Sequence, residues 1–380
     1  MKRLLKSLLL IIIVLSFGIV LVSCSSENNG GNNDKTEEEK TTKDSGVSLV
    51  DNNVVLQLAS NSSTVTSTEE AVQKVYDSVV CVYVMSNDTA VSAGSGVIIG
   101  QDEEGYYVIT CQHVVDGYDD YIVTLSDGSY IEAENVGEDA VTDLAVLKIK
   151  GENLTVATII QDSTTIAIGS EAIAIGNPLG TLANSVTKGI VSAVNRDIKM
   201  SDGTVQNLIQ TDAAINGGNS GGGLFNNQGQ LIGVVSAKYS ATGVEGLGFA
   251  IPANTVVSIA TELIENGYVS GRTSLGLKFG DGYIRMDFFR ATQVVYVTYV
   301  DPNGSAYGLI KTNYIITGVK VDFADNTKAS QSLTTISDSE TLTNFLTSLN
   351  LEIGDIVTFT VKTSSNSAEK EIAVTLKQYK

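Results

Sequence analysis

Tryptophan is absent from the 380-residue sequence, histidine occurs once (His113), and there are only three prolines and three cysteines, Cys24, Cys81 and Cys111. A single histidine excludes a multi-histidine metal centre within the chain. Three cysteines are too few for a disulfide scaffold or a zinc finger. Basic residues are scarce beside acidic ones: 24 Lys and Arg against 43 Asp and Glu give a formal net charge of −19. Such a chain repels phosphate backbones, which argues against nucleic acid as a partner. What is abundant points elsewhere. Hydrophobic residues make up 43% of the chain, so global disorder is ruled out and the length suits roughly two or three domains. Thirty-six glycines and 15 tyrosines, with frequent Val, Ile and Thr, lean toward β structure with tight turns.

The first residues form a targeting pattern. Lys2, Arg3 and Lys6 precede an apolar run from Leu8 to Val22, broken only by Ser16 and Gly18. The run is shorter than the roughly 20 residues a spanning helix needs and suits a signal peptide. It ends in Leu21-Val22-Ser23-Cys24, which resembles the lipobox of bacterial lipoproteins. That resemblance implies a signal peptide over residues 1–23, cleavage before Cys24 and a lipid on its thiol. The lipid would hold the protein on the extracytoplasmic face of the cell membrane. An uncleaved signal anchor is the competing reading. Ser25 to Gly46 contains no aliphatic or aromatic residue. It reads as a solvated tether, and residues 24–68 are assigned to it.

From about residue 75 short β-rich runs recur, among them Val79–Val84, Tyr106–Thr110, Tyr121–Leu125 and Leu144–Ile149. Ser126-Asp127-Gly128 and Asn226-Asn227-Gln228-Gly229 read as hairpin loops between them. Strands this short and regularly spaced suggest barrels or sandwiches. No βαβ alternation is present, which argues against a dinucleotide fold. A helix is expected after Pro252: Asn254 is the candidate cap, Val256, Ile259, Ala260 and Leu263 share one face, and Gly267 ends it. Strands resume beyond about residue 270, with one further helical stretch at Glu340–Leu349.

Chemistry concentrates in Gly217-Gly218-Asn219-Ser220-Gly221-Gly222-Gly223. Glycines this dense around one serine permit left-handed turns. A nucleophilic serine uses such turns to project its hydroxyl and to aim N–H groups at a developing oxyanion. An ordinary flexible glycine loop is the bland alternative. A phosphate cradle is weak, because no Gly-Lys-Ser/Thr follows. Serine needs a base, and His113 alone can serve, just past the strand-like Tyr106–Thr110. A carboxylate must hold the far imidazole nitrogen; Asp143, before Leu144–Ile149, is the candidate.

His113, Asp143 and Ser220 in that order resemble the high-temperature-requirement (HtrA/Deg) family of serine proteases. Gly94-Ser95-Gly96-Val97-Ile98-Ile99, Ala174-Ile175-Gly176-Asn177-Pro178-Leu179-Gly180, Val186–Ser192, Gln210–Asn216 and Gly248-Phe249-Ala250-Ile251-Pro252 match further stretches of that family. The resemblance covers about residues 70–265. It implies a mostly β, chymotrypsin-like double β-barrel over residues 69–267. It also implies a triad of His113, Asp143 and Ser220, with oxyanion donors from Gly218 and Ser220 and Asn219 as a third candidate. Gly217 and Gly223 stand where the family usually has Pro, and are expected to loosen the loop. Cys81 and Cys111 lie in apolar strands and read either as buried free thiols or as a pair; a cysteine-protease role is a poor fit.

Residues 268–380 resemble a PDZ domain. Leu275-Gly276-Leu277 is similar to its carboxylate-binding loop and following strand, Val300–Leu309 to the segment before the family's Gly-Asp-Val-Ile, and Gly354–Val361 to its last strand. Thr312-Asn313-Tyr314-Ile315 departs from the family's Gly-Asp-Val-Ile. A PDZ domain implies a groove that binds C-terminal peptides; a β-rich spacer is the alternative. The leading expectation is a membrane-anchored endopeptidase acting on misfolded or regulatory proteins, with a homotrimer among the assemblies the resemblance implies. The competing expectation is a PDZ or chaperone-type binding protein with a silent protease domain. No cofactor or metal is expected: the acidic run Asp102-Glu103-Glu104 reads as a solvated loop.

Overall fold

The computed structural model describes residues 47–48, 54–59, 66–87, 89–177, 184–199, 205–237, 246–285 and 291–379. Cys24 and the targeting segment lie outside the described residues.

The first sheet closes on itself. Strand Thr89–Gln101 pairs with Val79–Ser86, which continues through Tyr121–Thr124, Tyr130–Asp139, Leu144–Ile149 and Tyr106–Thr110 back to Thr89–Gln101. The second barrel repeats this with Gly223–Phe225, Glu171–Gly176, Ser185–Lys199, Val205–Thr211, Gly248–Pro252 and Gln230–Val235, the last pairing again with Gly223–Phe225. Closure removes the exposed edges that short strands would otherwise present. The architecture is the mostly β, chymotrypsin-like double barrel that the motifs imply. Ser126–Gly128 and Asn226–Gly229 occupy hairpin loops, with Gly128 and Gly229 left-handed at φ 85° and 73°.

Each barrel is filled by branched aliphatic side chains. Val79, Val97, Ile98, Val108, Ile109 and Val146 are fully buried in the first; Ala172, Val191, Leu224 and Ile232 fill the second. Helix Ala253–Asn266 buries Val256, Ile259, Ala260 and Leu263, the face expected from their spacing, and Gly267 ends it at φ 79°. Asn254 is not its cap. The cap position is Pro252, without a side-chain bond. Asn254 instead clasps the preceding turn, accepting from Ser163 N–H (2.7 Å) and donating to Asp162 (3.0 Å).

A further correction concerns the start of the folded region. The tether does not run to residue 68: Val54 and Leu56 are buried, and Leu56 pairs opposite Gly100 at the side of the first barrel. Helix Thr68–Val75 then begins on a capping box, Ser67 with Glu70. The sequence reading assigns no element to residues 68–75, where this helix lies.

A third sheet, in the order Leu277–Arg285, Ala291–Val300, Ile315–Asp322, Ile356–Lys362 and Lys370–Thr375, carries Gln331–Leu333 on its middle strand. Its own core includes Val297, Val319, Val321, Phe359 and Val374. Helix Ser339–Ser348 packs against the edge strand Leu277–Arg285. Asp338 caps this helix through Thr341 N–H at 2.7 Å.

Candidate active site

His113, Asp143 and Ser220 come from three separate elements. His113 sits on the single turn Gln112–Val115 that follows strand Tyr106–Thr110. Asp143 lies in the turn between Tyr130–Asp139 and Leu144–Ile149, held at φ 61°. That left-handed backbone is uncommon for a non-glycine residue and lets the carboxylate turn under the imidazole. Its peptide is pinned: Gln112 N–H donates to Asp143 C=O at 3.1 Å, and His113 N–H donates to Asp143 Oδ1 at 3.1 Å.

His113 Nδ1 stands 2.9 Å from both Asp143 oxygens. Asp143 is fully buried, while the imidazole remains 32% exposed. A buried carboxylate is costly unless its lone pairs are used. Here His113 supplies two donors and Ser236 Oγ donates a third bond to Oδ2 at 2.8 Å. The acid therefore fixes the ring and one tautomer, leaving Nε2 as the open nitrogen.

Ser220 is supplied by the second barrel, in the loop between Val205–Thr211 and Gly223–Phe225. Gly218 and Gly221 are left-handed, at φ 95° and 85°. Among the described residues, the N–H groups of Gly218 and Ser220 have no protein acceptor. Asn219 N–H, the third candidate donor, bonds Asn216 C=O at 3.0 Å. The Ser220 hydroxyl accepts from Ala237 N–H at 3.1 Å.

Ser95 ties this loop to the first barrel. Its N–H donates to Ser220 C=O at 2.8 Å, and its hydroxyl donates to Gly218 C=O at 2.7 Å while accepting from Asn177 N–H at 2.7 Å. These bonds hold the Gly218 and Ser220 carbonyls toward the first barrel, while the peptide N–H groups paired with them, of Asn219 and Gly221, donate to Asn216 and Val235 C=O. Thr110 Oγ1 in turn donates to Ser95 C=O at 2.7 Å. The sequence hinted at Ser95 only through its flanking glycines; nothing in it singled out Ser236.

Gly217 and Gly223 have different surroundings. A Cβ at Gly217 would meet open space. Gly223 is buried, and a Cβ there would collide with the Phe225 ring. Cys81 and Cys111 are both free and buried. Burial pushes the Cys81 thiol up to about 11.

The profile of the Trypsin-like peptidase domain matches residues 94–234. A solved HtrA-type protease, AlgW with a tripeptide, superposes with TM-score 0.51 at 32% identity, over 83% of this chain and 99% of its own. The chain belongs to the HtrA-type serine proteases. The Bacillus subtilis serine protease Do-like HtrB is 49% identical over 191 residues, which is 49% of this chain and 42% of that relative. The Lactobacillus helveticus serine protease Do-like HtrA is 41% identical over 242 residues, or 60% and 58%. The matched stretches thus span under half of some curated relatives.

Leu275, Gly276 and Leu277 of this HtrA-type chain lie far along the sequence, at the start of the third sheet. They border a cavity of about 560 Å³. Leu275, Leu277 and Leu346 line it together with Asp116, Glu138 and Gln112, the last from the His113 turn. Burial, then the nearby Asp116 charge, holds Glu138 above the usual carboxylate range, against a lowering hydrogen bond from Gln112. Gly276 is left-handed at φ 69°, and its N–H donates to Ser274 Oγ at 3.0 Å.

Proposed function

We propose that this chain is an extracytoplasmic serine endopeptidase in which Ser220 is the nucleophile. Support comes first from one observation: His113 Nδ1 sits 2.9 Å from a fully buried Asp143, and Val114, the next residue, borders Gly94 together with the Ser220 carbonyl. Ser220 Oγ attacks the substrate carbonyl as His113 Nε2 takes its proton. The proton then passes to the leaving amine, and water repeats the cycle on the acyl-enzyme. Asp143 stabilises the imidazolium throughout, the roles being those of the general Ser-His-Asp template. The N–H groups of Gly218 and Ser220 would receive the oxyanion, at about 3–4 kcal/mol per donor in comparable enzymes. Arrival of substrate draws the Ser220 hydroxyl away from Ala237 N–H toward the imidazole, since catalytic hydrogen bonds often tighten only in the complex.

The remaining assignments belong to the same proposal. Residues 268–380 act as a PDZ domain, whose open edge strand Leu277–Arg285 and loop Leu275–Leu277 take up a C-terminal peptide by strand addition. The protease domain spans residues 69–267, extended at its start by the strand around Leu56. Cys24 carries a lipid that anchors the protein to the membrane. Related proteins from Haemophilus influenzae and Halomonas elongata are named as probable periplasmic proteases, which supports work outside the cytoplasm. Substrates are misfolded or regulatory proteins, and a trimer is the assembly proposed. The test is casein hydrolysis by the purified chain. Ser220→Ala is expected to abolish turnover with an unchanged circular dichroism spectrum; undiminished turnover refutes the assignment.

A further inference from the structure

Cys111 has no part in the reaction above, yet it lies directly against the triad. It follows strand Tyr106–Thr110, two residues before His113, and its thiol donates to Val235 C=O at 3.3 Å. Its side chain is fully buried. The sulfur, a ring nitrogen of His113 and a carboxylate oxygen of Asp143 all lie within 4.8 Å of one another. Two further oxygens border the same space: the Val235 carbonyl and Ser236 Oγ, the latter 2.8 Å from Asp143 Oδ2.

Burial, then the Asp143 charge, holds the thiol well above its usual range, so Cys111 is no nucleophile. A bound cation inverts that electrostatic logic. The carboxylate that disfavours a lone thiolate attracts the metal, and a coordinating thiol loses its proton outright. Sulfur, imidazole nitrogen and one carboxylate oxygen form a donor set for zinc-class ions. Calcium and magnesium favour all-oxygen sites instead.

We propose that Cys111, His113 and Asp143 form an inhibitory binding site for a thiophilic cation such as Zn²⁺. Binding rests on these side chains alone; only its inhibitory consequence rests on the proposed protease mechanism. The aquo ion gives up water ligands and takes the Cys111 sulfur, the Nδ1 lone pair and an Asp143 oxygen. The thiol proton leaves to solvent, and the imidazole proton moves from Nδ1 to Nε2. One proton is released and nothing changes oxidation state. With Nε2 protonated, the ring cannot accept the Ser220 proton. Entry is by the His113 side, where the imidazole is 32% exposed, because Cys111 and Asp143 are closed to solvent.

The test uses the full chain and Co²⁺ alone as the spectroscopic probe. A thiolate-to-Co²⁺ charge-transfer absorption is expected in the unaltered chain and is lost in Cys111→Ala, with Cys81 left as an internal control. In parallel, Zn²⁺ inhibits peptide hydrolysis reversibly to EDTA. Outer-shell partners alone are worth about 10–100-fold in metal affinity, so removing the thiolate weakens inhibition at least about tenfold relative to each variant's own metal-free rate. Cys111→Ser, closer in size, replaces the alanine variant should that one not fold. No charge-transfer band, a band that survives in the variant, or an unchanged inhibition constant overturns the site. A chain that shows the band but hydrolyses nothing keeps the metal site and contradicts only the protease mechanism.

Discussion

Arg272 grips the buried carboxylate of Asp139 with two guanidinium hydrogen bonds, Nε at 3.1 Å and a terminal nitrogen at 3.0 Å. Asp139 is 4% exposed and also accepts from Thr142 N–H (3.1 Å) and Thr142 Oγ1 (2.7 Å). Thr142 precedes Asp143, so a residue in the connection to the third sheet steadies the turn that aims the triad carboxylate. The backbone of Arg272 is tied in turn to the last residues of the chain, accepting from Tyr379 N–H at 2.9 Å.

Removing this guanidinium leaves a buried carboxylate with one partner fewer. Losing one partner of a fully buried pair costs about 3–5 kcal/mol. Partial exposure of Arg272 (32%) screens the pair, so Arg272→Ala is expected to cost about 1–3 kcal/mol. Chemical denaturation measures this, with Arg272→Lys falling between the two. Equal stability of all three proteins would show that Asp139 is held by Thr142 alone.

Ser236 donates to the Asp143 oxygen in the triad's floor. A hydrogen bond to a charged group is worth about 1.5–3 kcal/mol, and part of that is felt when the imidazolium forms. Ser236→Ala is expected to lower kcat by roughly tenfold or more with little change in KM. A change confined to KM would place Ser236 in substrate binding instead.

The two glycines flanking the serine loop should respond in opposite ways. A Cβ at Gly217 meets nothing, whereas at Gly223 it strikes the Phe225 ring. Gly217→Ala is therefore expected to melt within a degree or two of the unaltered chain. Gly223→Ala is expected to lose about 1–3 kcal/mol, the usual cost of overpacking. Thermal melts of the pair decide the matter, and equal melting temperatures would contradict the packing described.

The peptide uptake proposed for the third sheet would carry its own pH signature. Asp116, Glu138 and Asp301 face the groove, with Lys278 as the opposing charge; Asp119 adds to the negative field at Glu138. Because Glu138 is held above the ordinary carboxylate range, it gains its proton early as pH falls. One negative charge facing the peptide carboxylate then disappears. Calorimetry should find a hydrophobic C-terminal peptide binding more tightly in mildly acidic than in neutral buffer. Tighter binding at neutral pH would contradict this orientation of the peptide.

Much of this was visible in the residues. The Gly-rich run pointed to Ser220 and the lone imidazole to His113; short apolar runs with Gly and Asn turns suggest barrels or sandwiches, and only the family resemblance implies two barrels. Other features were hidden because their cause is non-local. Ser95 and Ser236 matter through partners far away in sequence, at Gly218 and Asp143. Leu56 sits in a weakly patterned stretch and becomes core only because Gly100 leaves room for it. Asn254 looked like a helix cap, yet the turn at Asp162 and Ser163 competes for its side chain and wins.

The most direct measurement is covalent labelling of the native chain by a fluorophosphonate, with the modified peptide located by mass spectrometry. The account predicts one label, on Ser220, at a rate that collapses in His113→Ala and in Asp143→Asn. Labelling on another residue, or a Ser220 that reacts no faster with His113 present than absent, would contradict it.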